Sequence, residues 1–221
     1  MNWYKEIGFK DNPFTIKPEA QYDEFVDKIN LRKVSTLVKN SKNVLIRGKY
    51  GVGKTSLVKN IIRDFKGQKK LFYFNAYSSD ELDVEEVLKN AGNFFSRLFK
   101  LKTKNLVLVI DEAHNLKKED FEEILEHKDW IKSVVLITSK SRAKFDSRFK
   151  LNEIKLEMFS LNKSFEIVED RLNSQKNFLP KKVVKEIYKN SSSPRDFLMN
   201  CELACKKAYE KGANKVSLSH L

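Results

Sequence analysis

The chain has 221 residues, with 43 Lys and Arg against 30 Asp and Glu, a formal net charge of +13 at pH 7. No apolar stretch is long enough to span a membrane, and the N terminus lacks the basic-then-apolar order of a secretion signal, which predicts a cytoplasmic protein without a membrane partner. The positive charge favours DNA or RNA as a partner, although a general lysine bias would produce the same total.

In chain order, the apolar pattern predicts helices and strands that alternate as far as about residue 158. The predicted helices are 27–39, 54–66, 80–100 and 118–127, and the predicted strands are 44–47, 70–75, 106–112, 133–138 and 153–156. This alternation is typical of an α/β fold in which helices flank a parallel sheet. Helices alone are predicted afterwards, over 162–175, 180–190 and 194–211. We therefore expect an α/β base over residues 1–158 and a small all-helical lid over residues 159–221.

The segment Gly48–Thr55 matches the phosphate-binding loop pattern G-x-x-x-x-G-K-[ST] at every specified position. A predicted strand precedes it and a predicted helix follows, so that backbone N–H groups and the positive end of the helix dipole face the phosphates. Lys54 is expected to reach the β- and γ-phosphates, and the Thr55 hydroxyl to bind Mg²⁺. The predicted nucleotide-binding residues here are Gly48, Lys49, Tyr50, Gly51, Val52, Gly53, Lys54, Thr55 and Ser56.

The second motif is an acidic pair, Asp111-Glu112, which ends the apolar strand that begins at Leu106. A continuous apolar run of this length predicts a strand buried on both faces of a parallel sheet. Its carboxyl end should lie beside the phosphate loop, where open α/β sheets place their ligands. Asp111 is therefore a candidate Mg²⁺ ligand, and Glu112 a candidate base that accepts a proton from the attacking water or orients it. His114 is predicted to be a loop residue near this site.

The only two cysteines, Cys201 and Cys205, lie four residues apart in a predicted helix. No nearby histidines complete a metal site, so they are expected to be buried core residues in a reducing compartment.

The order of these motifs resembles that of the AAA+ ATPases, and the likeness covers nearly the whole chain. Within that superfamily, the origin-recognition and archaeal initiator ATPases are similar. So are the transposition-helper and general-secretion ATPases, which share Gly8-Phe9-Lys10-Asp11-Asn12-Pro13-Phe14 and Ile110-Asp111-Glu112-Ala113-His114-Asn115-Leu116. The resemblance implies a P-loop NTPase sheet, a helical lid, and ATP with Mg²⁺ as ligands.

The resemblance also implies roles for single residues. Asn75 matches the polar residue that can hold the catalytic glutamate away from water. Thr138 or Ser139 matches the residue that senses the γ-phosphate. Arg148, in Ser147-Arg148-Phe149, matches the arginine finger that a neighbouring subunit supplies, with Arg142 as the alternative. Arg195 matches the lid arginine that contacts the nucleotide, although Ser193-Pro194 departs from the glycine or small acidic residue usual before it.

Together these features predict an ATPase that works at a subunit interface and acts on DNA in replication initiation, recombination or transposition. ATP would bind between base and lid, and the isolated monomer would turn over slowly without Arg148 in trans. The protein partner is not identified by the sequence. The alternative is an ATP-dependent switch, adaptor or protein-remodelling ATPase that does not bind DNA directly.

Overall fold

Within the part of the chain that the structure describes, five parallel strands form one sheet. A computed structural model of the chain describes residues 2–16, 27–65, 71–78, 82–90, 104–173 and 177–221. The strands are β1 Val44–Arg47, β2 Leu71–Asn75, β3 Leu106–Asp111, β4 Ile131–Thr138 and β5 Asn152–Lys155. They lie in the order β2-β3-β4-β1-β5, and each pairs in parallel with its neighbours, as the alternation of strands and helices predicted.

The strand register aligns the carboxyl ends that carry the sequence motifs. Arg47, at the end of β1, lies opposite Thr138 at the end of β4, and Asn75 lies opposite Asp111 across β2 and β3. Because all strands run the same way, the residues that follow them meet at one edge of the sheet.

The α/β unit also contains four described helices: α2 Lys28–Lys39, α3 Lys54–Phe65, α4 Val84–Asn90 and α5 Lys118–Glu126. Alternate residues of β3 pack in a cluster that includes α4 and α5, and the residues between them, Val107 and Val109, are also fully buried. Burial on both faces confirms the prediction made from the apolar run. Residues 91–103, which the sequence places in part within the helix near 80–100, lie outside the described residues.

The helical unit contains α1 Trp3–Glu6, α6 Leu161–Leu172, α7 Lys181–Lys189 and α8 Pro194–Glu210. The hydroxyl of Ser193 accepts the Asp196 N–H at 3.1 Å, and Pro194 occupies the first turn of α8. Serine at the N-cap and proline in the first turn are both favoured at a helix start, since the serine hydroxyl bonds an unpaired N–H and proline lacks one. Cys201 and Cys205 are free thiols buried in the same core.

The N-terminal residues 2–16 group with the helical unit, although the sequence analysis placed them in the α/β base. Trp3 and Phe14 are buried in the apolar core formed by α6, α7 and α8. The guanidinium of Arg171 donates to the carbonyl of Pro13 at 2.7 Å, which ties this segment to α6. The helical unit also takes in Tyr50–Gly53, and its main part begins at Glu157 instead of residue 159.

Among the described residues, none of the helices combines the length and apolar character that a membrane span requires.

Candidate nucleotide-binding site

The phosphate loop joins β1 to α3. Its first amide, the Gly48 N–H, donates to the Thr138 carbonyl at 3.2 Å and extends the pairing of β1 with β4. Gly51 and Gly53 have φ values of +81° and +96°, a region that side-chain-bearing residues rarely adopt. Glycine at these two positions is therefore required by the backbone conformation of the loop.

Lys54, the first residue of α3, is only 7% exposed. Its ammonium donates to the carbonyls of Gly48 at 3.0 Å and Lys49 at 3.2 Å, so the side chain lies along the loop. Burial lowers the pKa of Lys54, while the charges of Glu112 and Asp111 oppose this shift. The ammonium therefore lies within electrostatic reach of both acidic residues. Such an arrangement places a cation where an anionic phosphate would bind.

Thr55 and Ser56 continue the first turn of α3 directly after Lys54. The Thr55 residue is exposed, and Ser56 is half-buried. Their position puts the Thr55 hydroxyl at the start of a helix whose free N–H groups and dipole favour an anion.

Asp111 ends β3 and is 7% exposed. Its Oδ2 accepts a hydrogen bond from the Tyr73 hydroxyl at 3.0 Å, and its Oδ1 accepts the Glu112 N–H at 2.9 Å. Each carboxylate oxygen has a further lone pair, and the Thr55 hydroxyl is also a hard oxygen donor. Oxygen donors of this type suit Mg²⁺, which commonly takes one or two protein ligands together with phosphate oxygens. The two residues predicted to hold the metal are thus chemically suited to it.

Glu112 has a left-handed backbone conformation, with φ 49° and ψ 40°. This conformation is uncommon outside glycine and tends to occur at functional sites. The Glu112 Oε2 accepts a hydrogen bond from the Ser139 hydroxyl at 2.8 Å and lies 3.4 Å from Nδ1 of His114. The carboxylate is therefore oriented by contacts with the end of β4 and with the loop after β3.

Thr138 and His114 form a second pair beside Glu112. The Thr138 hydroxyl oxygen lies 3.1 Å from Nδ1 of His114 and accepts the Lys140 N–H at 3.1 Å. Burial is the main cause of a lowered His114 pKa, and the Lys140 and Lys54 charges lower it further, against the opposing charge of Glu112. The imidazole is therefore held in its neutral form, in which a ring nitrogen can accept a hydrogen bond.

The side chain of Asn75 bonds the backbone of its own turn, and the role that the family resemblance implies for it stays a prediction. Its side-chain oxygen accepts the Tyr77 N–H at 3.0 Å, which closes the turn after β2. An Asn side chain that bonds a backbone amide two residues ahead is a common turn stabiliser. The hydrogen bond to the Glu112 carboxylate comes from Ser139 instead.

Arg148 lies in the short 3₁₀ turn Ser147–Phe149. Its guanidinium donates two hydrogen bonds to the carboxylate of Glu122 on α5, at 3.0 and 2.7 Å, and also pairs with Asp146. Hydrogen bonds with these two carboxylates raise the pKa of Arg148. The side chain is still 52% exposed. Arg142, the alternative finger, is an exposed residue of the loop after β4.

Arg195 lies in the first turn of α8, within the helical unit that also contains Tyr50 and Gly51. Its guanidinium donates to the Tyr50 hydroxyl at 2.8 Å and lies 5.3 Å from the centre of that ring. Its backbone N–H donates to the carbonyl of Gly51 at 3.2 Å. The predicted lid arginine and the tip of the phosphate loop are thus in direct contact.

Sequence reasoning missed two residues that support the site, Tyr73 and Arg47. Arg47 donates to the carbonyls of Lys140 at 2.7 Å and Ala143 at 3.1 Å, and pairs with Glu153 at 3.1 Å. It therefore fixes the loop that follows Ser139. The only signal in the sequence is a charged residue at the end of an apolar strand, directly before the phosphate loop.

Comparisons with known proteins agree with this geometry. The model of a family described as an AAA domain matches residues 40–154. No characterised protein matches in the comparison of whole sequences. A structure of the Thermotoga maritima RuvB Holliday junction branch migration motor is similar, with a TM-score of 0.66 at 18% identity over 90% of this chain and 68% of that one.

Two further structures are also similar in fold. The Aeropyrum pernix Orc1 protein in complex with DNA has a TM-score of 0.65 at 18% identity, over 92% of this chain and 66% of that one. Cdc6p from Pyrobaculum aerophilum has a TM-score of 0.61 at 13% identity, over 94% of this chain and 68% of that one.

The parallel sheet, with its phosphate loop after β1 and acidic pair after β3, defines a P-loop NTPase fold. More specifically, the chain belongs to the AAA domain family, and its predicted membership of the AAA+ ATPase superfamily is confirmed, with Orc1 and Cdc6p among its structural relatives.

Proposed function

We propose that the protein binds ATP with Mg²⁺ and hydrolyses it. The observation that carries this proposal is the oriented carboxylate of Glu112 beside the charged Lys54 and Asp111. A nucleotide-binding protein without hydrolysis needs the lysine and the loop. It does not need a second carboxylate held in a left-handed backbone conformation at the end of a buried strand.

Each residue has a distinct role in the proposed reaction. The loop amides and Lys54 bind the phosphates, and the hydroxyl of Thr55 and the carboxylate of Asp111 would hold Mg²⁺. Bound there, Mg²⁺ would neutralise charge on the β- and γ-phosphate oxygens. Glu112 orients the attacking water and accepts its proton. Arg195, whose guanidinium donates to the Tyr50 hydroxyl, has the proposed role of contacting the nucleotide.

The proposed active form is an oligomer in which Arg148 of a neighbouring subunit completes the site. Arg148 is half exposed, and its ion pairs with Glu122 and Asp146 are surface pairs, which contribute little to stability. A phosphate group on a neighbour can therefore compete with these carboxylates. Without such a neighbour, turnover is expected to be slow, since a finger supplied in trans contributes roughly 10³–10⁵ in rate.

DNA is the proposed substrate on which the ATPase acts, in replication initiation, recombination or transposition. The net charge of +13 favours a polyanionic partner. One structural relative is described as a Holliday junction branch migration motor, and another was solved in complex with DNA. These descriptions belong to those proteins, and they support a DNA-directed role for this chain by analogy of fold.

A nucleotide-dependent switch that controls a protein partner, or remodels it, is the second candidate. The observation that favours it is the engagement of Arg148 by two acidic residues of its own chain. If that pairing persists in the assembled protein, ATP occupancy would be long-lived and turnover incidental.

One set of ATPase assays separates the two candidates. Turnover and oligomeric state are measured with and without duplex DNA at several salt concentrations. The DNA-directed role predicts stimulation that falls steeply with salt. If DNA changes neither rate nor oligomeric state, that role is wrong.

The Glu112→Gln variant should bind ATP normally and stop turnover, and unchanged turnover would remove Glu112 from its proposed role.

A further inference from the structure

We propose that Ser139 is the residue that positions Glu112 for the hydrolytic step, an inference that rests on the proposed ATPase function. The Ser139 hydroxyl donates to the Glu112 Oε2 at 2.8 Å. Ser139 directly follows β4, and Glu112 directly follows β3, the strand next to it in the sheet. The contact therefore joins two chain segments that the sheet itself holds in place.

The backbone and the hydroxyl fix Glu112 at both ends of its side chain. The left-handed conformation at Glu112 sets the direction of the Cα–Cβ bond, since φ is 49° and ψ is 40°. The hydrogen bond from Ser139 then sets the orientation of the carboxylate. The bond engages Oε2, and in this proposal Oε1 is the oxygen that accepts a proton from water. A base held in one orientation gains rate because the reacting atoms are already aligned.

A serine hydroxyl has one hydrogen to donate. While it donates to Glu112, Ser139 cannot donate to a phosphate oxygen. We therefore infer that Ser139 acts through Glu112 and does not contact the γ-phosphate itself.

Thr138 has a different set of partners. It is fully buried, and its hydroxyl oxygen accepts the Lys140 N–H and meets Nδ1 of His114. The two neighbouring hydroxyls at the end of β4 therefore have different partners. The Ser139 hydroxyl bonds Glu112, and the Thr138 hydroxyl contacts His114 and the Lys140 N–H. Asn75, whose oxygen caps the turn after β2, is not required for this arrangement.

The test compares Ser139→Ala and Ser139→Thr with a control in β4, Ser133→Ala. Ser133 is buried, whereas Ser139 is half-buried, and its hydroxyl donates to the carbonyl of Lys42 at 2.6 Å. Single-turnover and steady-state ATPase rates are measured for the whole chain with Mg²⁺, together with the Kd for ATP and the urea midpoint of each variant.

The inference predicts that Ser139→Ala lowers kcat by about tenfold, a part of the 10²–10⁴ that a positioned base contributes, while the Kd for ATP stays unchanged. Ser139→Thr, which keeps a hydroxyl, should recover most of the rate. Ser133→Ala should keep its kcat even where its urea midpoint falls. If the role of Ser139 were only structural, both alanine variants would have a lower urea midpoint, and Ser139→Ala would show no selective loss of kcat.

Two results would overturn the inference while the ATPase function stands. One is an unchanged kcat in Ser139→Ala, which shows that Glu112 does not depend on this hydroxyl. The other is a weakened Kd for ATP with the kcat preserved, which assigns Ser139 to phosphate binding. If the unmodified chain shows no turnover even in the single-turnover assay, the ATPase function itself is wrong, and the role of Ser139 in it falls as well.

Discussion

The backbone N–H of Arg195 donates a hydrogen bond of 3.2 Å to the carbonyl of Gly51 in the phosphate loop. This amide lies in the first turn of α8, where N–H groups have no partner within the helix. The close approach depends on the absence of a side chain at Gly51. A Cβ placed there would lie 2.8 Å from Oγ of Ser193 and 3.0 Å from Cβ of Arg195.

Gly51→Ala should therefore destabilise the protein more than Gly53→Ala. Both glycines have a positive φ, so alanine is strained at either position. A Cβ at Gly53 meets no atom within 4 Å, whereas at Gly51 it meets Ser193, the N-cap of α8, and Arg195 in its first turn. We expect a cost of about 1–3 kcal/mol for the backbone strain alone, and an additional loss at Gly51. Urea unfolding of the two variants measures the difference, and equal midpoints would contradict this explanation.

Lys54→Ala should lose ATP binding, since it removes the buried ammonium at the start of α3. Lys59→Ala is the matched control, because Lys59 lies on the same helix and is exposed. Titration with a fluorescent ATP analogue should show normal affinity for Lys59→Ala and little binding for Lys54→Ala. Normal binding by both variants would show that the loop binds phosphate without this cation.

The proposed trans action of Arg148 predicts complementation between two inactive variants. Arg148→Ala retains a nucleotide site but lacks the finger, and Lys54→Ala retains the finger but lacks the nucleotide site. When the two variants are mixed in equal amounts, some interfaces combine the intact nucleotide site of Arg148→Ala with the intact finger of Lys54→Ala. ATPase activity should therefore return in part. Each variant alone should be inactive. Activity that stays absent in the mixture, with mixed oligomers demonstrated by co-purification of one variant through an affinity tag on the other, argues against a finger supplied in trans.

Arg47 should be essential for order in the loop after β4. It donates to two backbone carbonyls, those of Lys140 and Ala143, through separate nitrogens of one planar group. Lysine cannot reproduce this fork, so Arg47→Lys should behave like Arg47→Ala. Hydrogen exchange of residues 139–145 should accelerate in both variants, while exchange in α8 stays the same. Protection that is retained in Arg47→Lys would show that charge alone is sufficient.

The buried thiols predict a pH dependence of stability. Burial, with a smaller contribution from the neighbouring thiol, raises the pKa of Cys201, and burial also raises that of Cys205. A thiol whose pKa is raised by folding stabilises the native state below its unfolded value of about 9. This contribution is lost as the pH rises, by up to about 1.4 kcal/mol per pH unit for each thiol.

Above pH 9, the free energy of unfolding of the unmodified protein should therefore fall more steeply with pH than that of the double variant, Cys201→Ala with Cys205→Ala. Comparison of the two pH profiles cancels the titration of other groups. A thiol reagent should label neither cysteine in the native protein at pH 8 and both in guanidinium chloride. Rapid labelling of either thiol without denaturant would contradict the burial of this pair.

The sequence by itself determined the elements whose signals are local. The phosphate loop at Gly48–Thr55 follows from eight adjacent residues, and the buried strand before Asp111 follows from an unbroken apolar run. The cap of α8 by Ser193 likewise depends on residues three positions apart. These features were predictable because their physical causes, the backbone conformation, the apolar pattern and the helix end, act over a few neighbouring residues.

Only the tertiary structure decided which distant side chains meet. The bond from Ser139 to Glu112 joins residues 27 positions apart, and the ion pair of Arg148 with Glu122 joins residues 26 apart. The family resemblance implied a glutamate contact for Asn75, whose side-chain oxygen bonds the Tyr77 N–H in the turn after β2, and the sequence placed residues 1–158 in the base, whereas residues 2–16 group with the helical unit. These outcomes depend on strand order and on the packing of separate helices. Neither is encoded in the spacing of adjacent residues, because the energy of a contact depends on its position in space and not along the chain.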